Sequence, residues 1–253
     1  PHALPEHDFA AFRDLLAATM RHAGAVRLDH VLSLMRLYVV PPGMNDSDGA
    51  YIRFPFEQLL RVVAEESRHC RCIFIGEDLG TVPQGFRDIA MRWGMWSYRV
   101  MIFERRQDSS FKSPGEYPDR ALATFNTHDL PTYAGWISGH DLKAKRGIGV
   151  NPGETGEQRE RSRQALNEAL APFRAQAVPG FEAVASFLAA TPSRLVTVSI
   201  EDLLGVADQV NVPGTIHEHP NWRRKLPAAL EDWESRPLFS AVAHAFARAG
   251  RRF

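Results

Sequence analysis

The chain has 253 residues, of which 44% are hydrophobic and 24% are charged, a composition typical of a globular protein with a substantial core. Lysine and arginine together number 30, as do aspartate and glutamate, so the formal net charge is zero. A neutral chain has no general attraction for nucleic acid or for an anionic membrane, and no apolar run approaches the length of a membrane span.

Helices and strands are predicted to alternate along the chain. A helix over 8–23 is indicated by Phe9, Phe12, Leu16 and Met20, which recur at helical spacing. Further helices are predicted over 55–67, 83–94, 157–188 (with breaks at Pro172 and Pro179) and 239–248, and strands over 25–29, 72–76, 98–103, 121–126 and 195–200. Strands that alternate with helices predict parallel βαβ units, so the expected fold class is α/β with five parallel strands.

Two segments stand apart from the regular alternation of strands and helices. Residues 41–47 are rich in Pro, Gly and Asn, which favours a loop. Residues 138–163 are polar and contain several glycines, which favours a mobile excursion from the domain. Neither segment has the length and composition of a linker between domains, so a single domain is expected.

The two cysteines, Cys70 and Cys72, are predicted to be reduced. Residues two apart on a strand share a face but are poorly placed for a disulfide. Two cysteines are also too few for the disulfide framework of a secreted protein, and the first thirty residues contain no basic-then-apolar signal pattern. These features predict a cytoplasmic protein.

Acidic residues follow four of the predicted strands. Asp29, Glu77 and Asp129 each stand at or just beyond the end of a strand, and Glu201 and Asp202 follow the last one. In a (β/α)8 barrel these strand ends open onto one face, where active sites lie. Carboxylates that are remote in sequence are therefore expected to converge there.

Structural roles compete with a catalytic interpretation of these acids. Capping of a following helix would explain Asp78 and Asp202 at least as well as catalysis would. Arg27 lies two residues before Asp29 on the same strand face, which favours the ionised carboxylate of a nucleophile, although a lone pair of this kind is ordinarily structural. Glu77 follows an apolar strand whose surroundings favour the protonated form, as a general acid requires.

Two carboxyl groups about 5 Å apart across a glycosidic bond are what a retaining glycosidase requires. One attacks the anomeric carbon, and the other protonates the leaving oxygen and then deprotonates the acceptor. Among the tryptophans, Trp136 in the loop after Asp129 is the candidate platform for a sugar ring. His217 and His219 have no matching set of further ligands, so no metal site is predicted.

Seven segments resemble, in family order, the amylomaltase family of 4-α-glucanotransferases. They lie at 27–30, 34–43, 49–56, 75–83, 127–132, 211–215 and 218–225, and read RLDH, LMRLYVVPPG, GAYIRFPF, IGEDLGTVP, THDLPT, NVPGT and EHPNWRRK. Together they cover most of residues 10 to 235. The resemblance implies a (β/α)8 TIM barrel of the α-amylase and amylomaltase type.

The resemblance also implies roles for the acids. Asp29 would be the nucleophile that forms a glucosyl-enzyme intermediate, and Glu77 would be the acid/base. Asp129 would hydrogen-bond the sugar hydroxyls and stabilise the oxocarbenium-like transition state. Arg27 and His128 would support the sugar in the cleavage subsite.

Substrates, partners and cofactors follow from the same resemblance. Asn211 would be a further substrate contact, and the substrates would be malto-oligosaccharides or glycogen-type α-glucans, in starch and glycogen metabolism. The family moves α-1,4-glucan segments between chains and needs no metal or organic cofactor.

The resemblance covers only the C-terminal part of the barrel. Residues 1–253 would form about strands 4 to 8 of a single catalytic domain, with the first three strands absent, and the N-terminal part of the same enzyme is a candidate partner. We expect such a chain to retain the three carboxylates but to have little transferase activity. Two alternatives stay open, an α-glucan hydrolase of the amylase type and a non-catalytic glucan-binding fragment.

Overall fold

The computed structural model describes residues 1–174 and 180–251. Within them the strands are β1 (Ala25–Leu28), β2 (Arg36–Val39), β3 (Ala50–Arg53), β4 (Ile73–Gly76), β5 (Trp96–Val100), β6 (Ala121–Thr124) and β7 (Leu195–Val196). The α-helices are α1 (Ala3–Glu6), α2 (Ala10–Met20), α3 (Phe56–Cys70), α4 (Phe86–Arg92), α5 (Tyr133–Ser138), α6 (His140–Gly147), α7 (Gly156–Leu170), α8 (Phe181–Ala189), α9 (Ile200–Leu203) and α10 (Pro237–Arg248).

Five of the described strands form one sheet, in the order β1-β4-β5-β6-β7. Strand β1 pairs with β4 in parallel, with Leu28 opposite Gly76, and β4 pairs with β5 in parallel, with Ile75 opposite Trp96. The order follows the chain, and helices occupy the connections, as consecutive βαβ units require. The predicted α/β class and the five parallel strands are confirmed.

The chain divides into two compact units. The first comprises Pro1–Tyr98 and Arg120–Leu122, and the second comprises Arg99–Asp119 and the chain from Ala123 onward. The core of the first unit contains side chains from α2, α3, β4 and α4, among them Met20, Leu60 and Phe86.

The core of the second unit is formed largely by helices. Helix α8 contributes most of its length, including Phe187, and α10 presents Val242 and Phe246 at helical spacing. Leu166 and Leu170 of α7 complete the packing. Helix α8 is therefore buried on nearly all sides, which its apolar sequence requires.

A hairpin that the sequence did not predict follows β1. Strands β2 and β3 pair antiparallel, with Tyr38 opposite Tyr51, and the predicted loop at 41–47 lies between them. Both strands are largely exposed and only four residues long, which is too short for their alternation of aliphatic with arginine and tyrosine side chains to stand out in the sequence.

Residues 138–163, predicted to be a mobile excursion, contain an unpredicted helix, α6, as well as the start of the helix predicted from residue 157. The segment contains α6 and the first half of α7, whose N-cap Thr155 forms a capping box with Gln158. Arg159 of α7 is buried and donates through Nη1 and Nη2 to the carboxylate oxygens of Asp141 of α6, at 2.7 and 2.8 Å. A buried ion pair thus orders a segment whose polar composition suggested a loop.

Two predicted strands end earlier than expected. Strand β5 stops at Val100, and a 3-10 turn, Met101–Phe103, takes the place of its predicted end. Strand β7 has two residues because Ser199 caps α9, accepting a hydrogen bond from the backbone N–H of Asp202 at 3.2 Å. The predicted break at Pro179 lies outside the described residues.

The structure also bears on the state of the cysteines and on the length of the apolar helices. Cys70 and Cys72 are both free, as expected. In the described part of the chain, no helix combines the length and the apolar character that crossing a bilayer would demand.

Candidate active site

Asp29 stands directly after β1 and pairs with Arg27 of that strand. Arg27 Nη2 lies 2.7 Å from Asp29 Oδ1, because residues two apart on a strand project from the same face. The Arg27 guanidinium carbon also lies 4.8 Å from the centre of the Tyr98 ring. Arg27 is therefore held between a carboxylate and an aromatic face, while the side chain of Asp29 is 61% exposed and open to an incoming ligand.

Tyr98, whose ring contacts Arg27, belongs to the surroundings of Asp29 but was not indicated by the sequence. Its side chain is buried, and burial raises the pKa of its hydroxyl, with the charge of Arg27 opposing the rise. The hydroxyl therefore keeps its proton at neutral pH. Tyr98 lies inside a predicted strand, where an aromatic residue ordinarily indicates packing.

Glu77 follows β4 and is buried beside the end of β1. Its Oε2 accepts the backbone N–H of His30 at 2.7 Å, and its Oε1 accepts the backbone N–H of Leu79 at 2.9 Å. Glu77 also donates its own backbone N–H to the carbonyl of Leu28 at 2.9 Å. The carboxylate is thus fixed against the residue that follows Asp29, in a turn where His30 has a left-handed φ of 47°.

The glycine before Glu77 is required by close packing. A Cβ at Gly76 would lie 2.5 Å from the Met95 sulfur and 3.0 Å from a Val31 methyl carbon. Any side chain there would displace these neighbours or the strand end.

Asp78 and Asp202, for which capping of the following helix was the structural alternative, both accept hydrogen bonds from residues distant in sequence. Asp78 is buried and accepts hydrogen bonds from Arg87 Nε at 2.5 Å and from the backbone N–H of Tyr98 at 3.3 Å. Asp202 accepts the backbone N–H of Tyr133 at 2.5 Å and Asn126 Nδ2 at 3.0 Å. Both acids join separate segments of the chain. Each therefore has a structural role, through contacts other than the expected cap on the following helix.

Asp129, in the second unit, is held by Asn211 and His128. Asn211 Nδ2 donates to Asp129 Oδ1 at 2.6 Å, and His128 Nε2 lies 3.4 Å from Asp129 Oδ2. The backbone N–H of Asn211 donates to the carbonyl of His128 at 3.2 Å. Three of the predicted site residues therefore lie together.

Gln209 supports this cluster and was not indicated by the sequence. Its buried side chain donates through Nε2 to the backbone carbonyls of Asp129 at 2.7 Å and Asn211 at 2.6 Å. His219 Nε2 contacts the carbonyl of Gln209 at 2.9 Å. The segment that resembles a family motif around His219 thus braces the segment around Asn211.

Trp136 was wrongly predicted to be a sugar platform. It is 3% exposed, lies in the core of the second unit and packs edge-on against Phe125, with the Arg159 guanidinium 4.9 Å from its ring centre. No ring face is open to a ligand. The exposed tryptophan near Asp129 is Trp222, whose ring centre is 5.2 Å from that of His128.

The described residues contain no group of three or more His, Cys, Asp or Glu side chains placed to hold a metal ion. His217 and His219 were the residues that could have suggested a metal site, and His219 contacts a backbone carbonyl. The Glu218 carboxylate accepts the backbone N–H groups of Ile216 and His217.

The parallel sheet and the acids at its strand ends define an α/β protein of the (β/α) barrel type. A sequence model described as 4-alpha-glucanotransferase matches residues 1–231. The chain belongs to the 4-alpha-glucanotransferase family.

Relatives of known sequence and structure agree with this assignment. The chain is 36% identical over 249 residues to a 4-alpha-glucanotransferase of Haemophilus influenzae and 33% identical over 255 residues to one of Mycobacterium tuberculosis. These alignments include 91% and 92% of this chain but 35% of each relative, so the chain spans about a third of their length.

The amylomaltase of Corynebacterium glutamicum superposes with a TM-score of 0.86 at 30% identity, over 96% of this chain and 38% of that structure. An amylomaltase of Streptococcus agalactiae, solved in complex with acarbose, superposes with a TM-score of 0.76 at 19% identity, over 99% of this chain and 46% of that one. The expected barrel fold of the amylomaltase type is confirmed.

Proposed function

We propose that this chain carries the catalytic carboxylates of a 4-α-glucanotransferase, which transfers α-1,4-glucan segments between malto-oligosaccharides through a glucosyl-Asp29 intermediate. Asp29 is the nucleophile, Glu77 is the acid/base, and Asp129 is the third carboxylate. Family membership supports this activity over hydrolysis, because the relatives are named as transferases.

The observation that carries the proposal is the pairing of β1 with β4. Leu28 and Gly76, the last residues of the two strands, are register partners. Asp29 follows Leu28 and Glu77 follows Gly76 in the chain. Neighbouring strands lie about 4.8 Å apart, close to the separation of about 5 to 5.5 Å between the two carboxyls of a retaining enzyme. This placement suits a nucleophile and an acid/base on one glycosidic bond.

The contacts of each side chain fit its proposed step. Arg27 pairs with one oxygen of Asp29 and orients the carboxylate. A carboxylate oxygen of Asp29 attacks the anomeric carbon while Glu77 gives its proton to the leaving glycosidic oxygen. Glu77 then takes the proton of an acceptor 4-hydroxyl, which attacks the anomeric carbon and releases Asp29. Configuration is retained because two displacements occur.

Asp129 is proposed to bind sugar hydroxyls and to stabilise the positive charge that develops on the sugar ring. Its support comes from Asn211 and His128, which hold opposite oxygens of the carboxylate and can bind the same sugar. Malto-oligosaccharides or glycogen-type α-glucans are the proposed substrates, and the N-terminal part of such an enzyme is the proposed partner. We also propose a cytoplasmic location, in keeping with the two free cysteines.

A fluorinated malto-oligosaccharyl donor, which slows the second displacement, tests the proposal. Mass spectrometry of the digested protein is expected to find the glycosyl adduct on Asp29, and Asp29→Asn is expected to abolish it. Asp14→Asn, a change at an exposed acid of α2, is the matched control. Normal glucan binding without an adduct would instead favour the non-catalytic glucan-binding alternative.

Product analysis separates transfer from hydrolysis. From maltotriose, a transferase yields glucose together with longer chains, whereas a hydrolase yields only shorter ones. Whatever turnover this chain shows, even at the low rate expected of it, should give longer products. Glucose and maltose that accumulate without longer chains would contradict the proposed transfer.

A further inference from the structure

An open groove of about 830 Å³ lies in the second unit, and Trp222 is one of the residues that line it. Its volume falls in the range of small-molecule binding sites. Its lining combines apolar and polar side chains, among them Trp222, Val210, Leu226, Asp208 and Arg224. A site of this composition suits a ligand that has both apolar faces and hydroxyl edges.

Trp222 is unusual in its exposure to solvent and in its backbone conformation. Its side chain is 64% exposed, although an indole is ordinarily among the most buried side chains. Its backbone has a left-handed φ of 59°, a conformation rare for a bulky residue, and its N–H donates to the carbonyl of Val210 at 3.2 Å. Strained backbone that presents an exposed side chain is found mostly at functional sites.

The polar side of the groove carries planar groups. Asp208 Oδ2 lies 3.2 Å from Arg224 Nη1, and its Oδ1 lies 3.0 Å from His140 Nε2. All three side chains are partly exposed, so each can exchange part of these contacts for ligand hydroxyls. Carboxylate and guanidinium groups can bind two adjacent hydroxyls at once, as a glucose ring presents them.

We propose that this groove is a glucan subsite in which a glucose ring of an α-1,4-glucan stacks on Trp222 and its hydroxyls bind Asp208 and Arg224. The inference rests on the proposed function, which supplies the glucan. Contact between the Trp222 and His128 rings places the subsite next to Asp129. Trp222 therefore takes the role that the sequence had suggested for Trp136.

Binding of maltoheptaose to the intact chain, measured by isothermal titration calorimetry, tests the subsite without requiring catalysis. We expect Trp222→Ala to raise the Kd about tenfold, because an exposed aromatic anchor contributes much of a site's affinity. Trp222→Phe keeps a stacking ring and should lose less. Tyr51→Ala, at a tyrosine of the hairpin that is 57% exposed, is the matched control and should leave the Kd unchanged.

A second measurement does not depend on the folding of Trp222→Ala. Maltoheptaose should protect the Trp222 indole from acrylamide quenching, seen as the difference between wild-type and Trp222→Phe fluorescence. Equal Kd values for wild type and a folded Trp222→Ala, unprotected Trp222 fluorescence, or no binding of maltoheptaose would each overturn the inference. An adduct on Asp29 with unaltered binding by Trp222→Ala would refute the subsite while leaving the proposed function intact.

Discussion

Burial raises the pKa of Asp202, which lies in α9, the helix after the last strand of the sheet. Desolvation raises the pKa of its carboxyl from an ordinary 3.8 to about 6, although hydrogen bonds from Ser199, Tyr133 and Asn126 oppose the rise. The folded protein therefore holds this proton more tightly than the unfolded chain does. The contribution of Asp202 to the free energy of unfolding is largest below pH 4 and is lost as the pH rises through 6.

The variant Asp202→Asn is expected to remove this dependence. Relative to the variant, wild type should lose about 3 kcal/mol of unfolding free energy between pH 3 and pH 7, as a pKa difference of this size implies. Urea denaturation of both proteins across this range measures the effect. Parallel stability profiles would show that Asp202 does not titrate in this window.

Gln209 is expected to stabilise the cluster around Asp129. Gln209→Met keeps the length of the side chain but removes both hydrogen bonds to the carbonyls of Asp129 and Asn211. The free energy of unfolding should fall by about 1 to 3 kcal/mol, because two acceptors lose their partner. Denaturation by urea measures the change, and slower hydrogen exchange around Asn211 in wild type should accompany it.

The control for this change is Gln164→Met on the exposed face of α7, which should cost less than about 0.5 kcal/mol. Equal effects at the two glutamines would contradict a bracing role for Gln209.

The two tryptophans show what a sequence can and cannot reveal about single residues. Both Trp136 and Trp222 lie in segments near acidic or family-like motifs, and composition gives no measure of their exposure. Burial of Trp136 depends on Phe125 and Arg159, which reach it only through the fold. The positions of Asp29 and Glu77 directly after their strands were easier to predict, since the end of an apolar strand is visible in the sequence.

At the scale of elements, the ion pair of Arg159 and Asp141 joins α6 and α7. Both side chains are almost fully buried, and Arg159 also binds Glu154 and the carbonyl of Trp136. Arg159→Met leaves the Asp141 carboxylate buried without its cation, which should cost about 3 to 5 kcal/mol of unfolding free energy.

A double-mutant cycle checks this interpretation. Replacing both residues, as in Arg159→Met with Asp141→Leu, should cost clearly less than the sum of the single changes, because no unpaired charge stays buried. Arg163→Met removes a partly exposed pair on the same helix, with Glu160, and should cost at most about 1 kcal/mol. Additive effects of the two buried changes would argue against coupling.

Elements with a clear periodic pattern were predicted well, and those without one were not. The helices α3 and α10 and the strands β1, β4 and β6 lie within a few residues of their predicted positions. The hairpin of β2 and β3 was missed because each of its strands has only four residues, too few for a periodic pattern to stand out. Helix α6 was missed because its polar sequence has no apolar stripe, and a buried ion pair with α7 holds it.

At the scale of the whole molecule, alternating strands and helices were enough to predict the parallel sheet, since each strand and its crossover helix form a local unit. The division into two compact units was not predicted. It depends on which apolar side chains share a core, and the described residues form two such clusters. Contacts of that kind join segments distant in sequence, and a single chain carries no pattern that marks them.

This division leads to a prediction about core substitutions. Leu60 lies in the core of the first unit and Leu166 in that of the second, and both are almost completely buried. Truncation of either to Ala should cost about 2 to 5 kcal/mol, from lost burial and from the cavity that remains. Hydrogen exchange should show the larger loss of protection at β4 for Leu60→Ala and at α8 for Leu166→Ala, because each side chain packs with neighbours of its own unit.

Each unit offers an exposed leucine as a control. Leu15 of the first unit is 62% exposed and Leu230 of the second is 65% exposed, so truncating either should change stability by less than about 0.5 kcal/mol. If Leu60→Ala and Leu166→Ala lowered protection equally at β4 and α8, the two clusters would be acting as one core. A difference that follows the position of the substitution is the result expected, because the free energy of a cavity is lost where its lining atoms lose their contacts.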